Sequence, residues 1–83
     1  MSDVPSAVKF RLRKIWYYSN AIQGKLGDAQ VYMGALLETA KAANVKNLEE
    51  VEKLLKEAYE HVSEAKRLVK IATEKIENEL TGG

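Results

Sequence analysis

Apolar and small residues recur three and four positions apart along almost the whole chain, and the recurrence is interrupted once. In the first half the series reads Val8, Leu12, Ile15, Ser19, Ile22, Leu26, Ala29, Met33, Leu36, Ala40 and Ala43. In the second it reads Leu48, Val51, Leu55, Ala58, Val62, Ala65, Val69, Ala72 and Ile76. This is the heptad seam of one helix packed on another. The spacing predicts two helices, about 5–43 and about 47–80, in an all-α antiparallel hairpin forming a single domain over 1–83 with a frayed tail at 81–83.

The interruption is Ala43-Asn44-Val45-Lys46-Asn47. Asn44 suits a left-handed helix end, and Asn47 suits the cap of the next helix, with Glu49 and Glu50 in its first turn. At the other end Pro5 fits a first helical turn, with Asp3 or Val4 supplying the cap region. A second possible break lies at Gln23-Gly24-Lys25-Leu26-Gly27-Asp28, because Gly ends helices and Asp begins them. The seam keeps its phase across that segment, which favours continuity. A three-helix bundle broken near 24–28 is the alternative.

The two halves differ on their outer sides. The second carries Glu49, Glu50, Lys53, Lys56, Glu57, Glu60, Glu64, Arg67, Lys70 and Glu74 away from the seam, a solvated face with pairs such as Glu49/Lys53, Glu52/Lys56 and Lys70/Glu74 at supporting spacing. Between Ile15 and Leu37 the first half has only Lys25 and Asp28 as charges. Its outward positions include Phe10, Tyr17, Gly24 and Val31, beside a nearly bare stripe of Asn20, Gly27 and Gly34. A helix that is apolar on more than one side is normally buried on more than one side. Self-association of two hairpins into a four-helix bundle follows, with a homodimer expected and with Phe10, Trp16, Tyr17, Tyr18, Gly24, Gly27, Val31, Tyr32, Gly34 and Leu37 as candidate interface residues. A different protein covering the same face is the competing account.

Composition narrows the chemistry. Eighty-three residues bury a limited core, so assembly is a common source of further stability. The chain has no cysteine, which excludes disulfides and thiolate chemistry. No run of about 18 uncharged apolar residues and no leader-like segment is visible, so the expectation is a soluble, cytoplasmic protein with no membrane partner. Residues 1–46 carry seven Lys or Arg against three acids, and residues 47–83 carry six against nine. Opposite charge on the two segments favours their pairing with each other.

Candidate chemistry is sparse. The segment Lys9-Phe10-Arg11-Leu12-Arg13-Lys14-Ile15-Trp16-Tyr17-Tyr18 mixes cations with aromatics, so Lys9, Arg11, Arg13 and Lys14 are candidate nucleic-acid contacts. Helical spacing puts Lys9 and Arg13 on one side and Arg11 and Lys14 on another, and pairing with Glu74, Glu77 and Glu79 is the simpler expectation. His61, the only histidine, has Glu57 and Glu64 at helical spacing, too few ligands for a stable metal site, and it shares the stripe of Leu54 and Leu68. Ser19 has no activating His or acid at a useful spacing, and a local bond to the preceding turn is expected. No catalytic, metal or cofactor residues are predicted. The reading is a non-enzymatic assembly or interaction protein. The alternatives are a small nucleic-acid-binding regulator, a helical adaptor or inhibitor of a larger protein, and a designed bundle. The regular, Glu- and Lys-rich second half would suit a hyperthermophilic or a designed sequence.

Overall fold

The computed structural model describes residues 5–82. It is an all-α hairpin of two helices, α1 (Ser6–Ala42) and α2 (Leu48–Thr81), which pack along their length in a rod of 62 × 16 × 15 Å. Bonds joining Ser19 to Thr73, Gln23 to Lys66 and Gln30 to Ser63 fix the antiparallel register. Helix bounds lie within one residue of those expected from the pattern.

α1 passes unbroken through Gly24, Gly27 and Asp28, so the three-helix alternative does not form. The three interior glycines, Gly24, Gly27 and Gly34, cost about 1 kcal/mol each relative to Ala, and packing along a 37-residue helix offsets this. A Cβ added at Gly24, Gly27 or Gly34 meets nothing within 4 Å, so contact with α2 does not require glycine at these sites.

The turn closes through two left-handed asparagines, Asn44 (φ 52°) and Asn47 (φ 62°). Asn44 N–H donates to Lys41 C=O (3.2 Å) and Val45 N–H to Ala40 C=O (3.3 Å), which satisfies two carbonyls at the end of α1. Asn47 precedes α2 as expected, but its side chain caps nothing; its carbonyl accepts the Val51 N–H at 3.0 Å. Pro5 stands one position before α1 and not within its first turn, accepting the Lys9 N–H at 3.0 Å. Asp3 and Val4, expected in the cap region, lie outside the described residues. Thr81 belongs to α2 and is not part of a tail; Gly82 (φ 72°) ends the helix, and Gly83 lies outside the described residues.

The seam departs from the expected ladder in an informative way. On α1 the residues turned inward are Val8, Leu12, Ile15, Ser19, Gln23, Leu26, Ala29, Gln30, Met33, Leu37 and Ala40. Gln23 therefore replaces Ile22, Leu37 replaces Leu36, and Gln30 joins Ala29. On α2 the expected series holds through Val69, after which Thr73, Glu77 and Leu80 replace Ala72 and Ile76. A strict heptad drifts by about 20° per repeat against a straight helix. Here the offset is taken up in one place on each helix, at the successive four-residue steps Ile15-Ser19-Gln23 and Val69-Thr73-Glu77, while seven-residue spacing holds from Gln23 to Ala40 and from Leu48 to Val69, and part of the apolar stripe is left outside the contact. Leu12, at 6% exposure, is the single buried side chain among the described residues.

Candidate functional site

The drift gives the hairpin two unlike flanks. On one, Ile15, Tyr18 and Ile22 of α1 face Val69, Ala72 and Ile76 of α2 across an open groove, with Ser19 and Thr73 at its floor. Ile22, Leu36, Leu54, Leu68 and Ile76 all stay well exposed. Heptad spacing carries this flank along the rod: Ala29 and Leu36 follow Ile22, Tyr32 follows Tyr18, and Leu54 and Leu68 share one stripe of α2. Hydrocarbon leads on it, broken by Arg11 and Lys25 on the Tyr18 stripe of α1 and by Glu57, His61, Lys75 and Glu79 on α2.

The opposite flank is bridged by polar groups at its middle and is open at both ends. Gln23 Nε2 donates to the Lys66 carbonyl at 2.9 Å. Gln30 Nε2 donates to Ser63 Oγ at 2.8 Å and to the Tyr59 carbonyl at 3.3 Å, and Lys66 Nζ donates to Gln30 Oε1 at 3.3 Å. Towards one end Trp16 and Asn20 adjoin Lys70, Glu74 and Glu77; towards the other Met33, Gly34 and Leu37 adjoin Glu52, Leu55, Lys56 and Tyr59. Ser19 does not bond back to its own turn. Its hydroxyl pairs with Thr73 Oγ1 at 2.8 Å across the seam, and Thr73 Oγ1 also lies 2.8 Å from the Val69 carbonyl.

The ten candidate interface residues are thus distributed over several surfaces. Tyr18 and Tyr32 belong to the apolar flank; Trp16, Gly34 and Leu37 lie on the polar one, and Gly27, seven residues before Gly34, shares its stripe. Phe10, Tyr17, Gly24 and Val31 repeat at seven-residue spacing on the back of α1, where Tyr17 packs edge-on to Tyr18 with ring centroids 5.5 Å apart. Ile22, Ala72 and Ile76, which the heptad pattern places on the hairpin seam, instead border the open groove. The signal that identifies them is the mismatch between a 3.5-residue pattern and a 3.6-residue helix.

Lys9 and Arg13 adjoin Leu12 and Trp16, while Lys14 sits 5.4 Å over the Phe10 ring. The expected pairing of these cations with Glu74, Glu77 and Glu79 is not formed. Among the described residues the ion pairs are Glu38–Lys41, Glu57–His61 and Glu64–Arg67, so Glu49/Lys53, Glu52/Lys56 and Lys70/Glu74 also remain apart. The Arg67 hydrogen bond holds the Glu64 carboxyl below its usual range, and the same bond raises Arg67. His61 is largely exposed and lies 3.7 Å from Glu57. No group of three or more His, Asp or Glu converges as a metal site among the described residues, and no helix among them is long and apolar enough to cross a membrane. No protein-family model, curated protein or solved structure matches the chain.

Proposed function

We propose that this protein is a non-enzymatic helical assembly module whose working state is an oligomer, with a dimer as the simplest form. The observation that carries this reading is unfinished burial. The accessible surface is 6752 Å², whereas a compact monomer of 9.3 kDa exposes about 5,000 Å². The excess, roughly 1,700 Å², is the scale of surface that one subunit hides in a large homodimer interface. An isolated hairpin with one buried side chain among the described residues has little to offset the entropy of ordering two long helices. Association supplies the missing apolar burial at about 25 cal/mol per Å².

Sedimentation velocity over a concentration series at two salt concentrations tests the reading. A mass twice that of the chain, retained at high salt, is expected because the driving force is apolar. A monomer throughout would refute it.

A second reading draws on the exposed cations Lys9, Arg11, Arg13 and Lys14, none of which has a carboxylate within ion-pair distance among the described residues. Nucleic-acid binding through them would weaken steeply with salt. Their spread around α1 favours it less than assembly, and a gel shift insensitive to Arg11→Ala and Lys14→Ala would remove it.

A further inference from the structure

We propose that a second copy of this chain docks on the apolar flank, in the groove between Tyr18, Ile22, Ala72 and Ile76 and its continuation through Leu68 and Leu36, to complete a twofold four-helix bundle. This rests on the assembly reading above and assigns the surface that reading leaves open.

The flank has the width a bundle requires. In a four-helix bundle each helix touches two neighbours and therefore needs a broader apolar arc than a two-stranded seam. Here the arc is present in the heptad pattern of both helices. The hairpin contact uses one edge of it, and the drift delivers the other edge, Ile22 on α1 with Ala72 and Ile76 on α2, to a single side. The other surfaces lack this property. The opposite flank is interrupted at its middle by Gln23, Gln30 and Lys66, which confine its hydrocarbon to a short recess at Met33, Leu37, Leu55 and Tyr59, and the back of α1 is one helix wide and bordered by Lys14 and Asp28.

Area and charge both point to a second copy as the occupant. A rod 62 Å long and 16 Å wide offers a face on the order of 1,000 Å², so a pair hides about 2,000 Å², within the range of permanent homodimers. The α1 half carries seven cations against three acids and the α2 half six against nine. Stacking two hairpins so that α1 lies over the partner's α2 sets each basic helix between two acidic ones. Lys25, on the stripe of Tyr18, borders the face on α1. Glu57, beside His61, borders it on α2. The surface is thereby complementary to itself under a twofold rotation, with no further segment required.

The test compares Ile22→Glu and Leu68→Glu with Val31→Glu, which alters the most exposed aliphatic of the back of α1. The masses of all three and of the full wild-type chain are followed by light scattering against concentration, and helicity is followed by circular dichroism. Ile22→Glu and Leu68→Glu should raise the dimer Kd by about a hundredfold or more, as expected for carrying a carboxylate into an apolar contact, while Val31→Glu stays dimeric. If Val31→Glu dissociates the dimer and the other two do not, the assigned face is wrong and the assembly reading survives. A monomeric wild type overturns both.

Thiol labelling covers the case in which a glutamate variant fails to fold, because the chain has no cysteine of its own. Leu68→Cys should react at least about tenfold more slowly with a thiol reagent in the assembled state than on dilution, and Val31→Cys equally fast in both, as the opening fraction sets the rate. Equal reactivity of Leu68→Cys in both states overturns the assignment.

Discussion

The two long flanks of the hairpin arise from the same pair of helices in one register, and they are finished differently. On the flank of Gln23 and Gln30, amides reach across to Ser63, Lys66 and the Tyr59 carbonyl, so polar groups close the gap and meet water. On the flank of Tyr18 and Ile22, hydrocarbon from both helices stands open, with Ala72 and Ile76 opposite. The difference shows how a hairpin can direct association. One side carries amides across its middle; the other leaves hydrocarbon of both helices uncovered. A polar residue on a packing seam is a known means of fixing register and partner number, at a cost in stability.

The largest effect is expected at the residue both flanks share. Leu12 is buried between the helices, and Leu12→Ala should lower stability by about 2–3 kcal/mol, the lower part of the range for buried leucines, since a thin rod can collapse around the loss. Thermal melts at two protein concentrations check this. The midpoint should fall while its dependence on concentration persists, because the seam weakens and the subunit contact is untouched. A drop with loss of that dependence would place Leu12 in the subunit contact and blur the contrast between the flanks.

Much of the fold is legible in the heptad pattern. The length of both helices, the turn at Asn44 and Asn47, and the continuity of α1 through Gly24 and Gly27 follow from periodicity and turn chemistry. The division of the apolar stripe is less legible. Ile22 and Gln23 are neighbours, each spaced to serve the seam, and hydropathy alone selects isoleucine. The structure selects glutamine because seam position follows the accumulated twist of the helix, and because an amide there still reaches the Lys66 carbonyl at 2.9 Å. For the same reason the pattern of α1 alone points to its back and its small-residue stripe as well as to the seam-flanking Trp16, Tyr18, Tyr32 and Leu37, without separating them. A one-helix wheel shows where hydrocarbon is left over, but only the pair of helices shows which leftover residues meet across a groove.

A sharper test of the contrast removes the polar closure. Gln23→Leu with Gln30→Leu replaces two amides by hydrocarbon of similar size. Gln30 leaves behind Ser63 and Lys66, which can turn to solvent, so stability of the hairpin should change by no more than about 1 kcal/mol. The larger change is in partner number. With both flanks apolar, the double variant should form species above the dimer, seen as added mass in light scattering. If it retains the wild-type mass, the glutamines do not limit association, and the bare flank owes its preference to shape alone.

The smallest effect belongs to the solvated back of α2. Glu64 is held below its usual pKa by Arg67, so its contribution is present above the unfolded carboxylate pKa and is lost as pH falls through the depressed folded value. Both side chains are more than half exposed, at 58% for Arg67 and 52% for Glu64, so water screens the pair at every pH. Arg67→Gln should leave the melting midpoint unchanged within error at neutral pH, and acidification should lower the midpoint of wild type and variant alike. A clear loss of stability at neutral pH that disappears in acid would show that the pair is shielded in the assembled protein. The back of α2 would then be covered in the oligomer, and the apolar flank would no longer be sufficient to describe the interface.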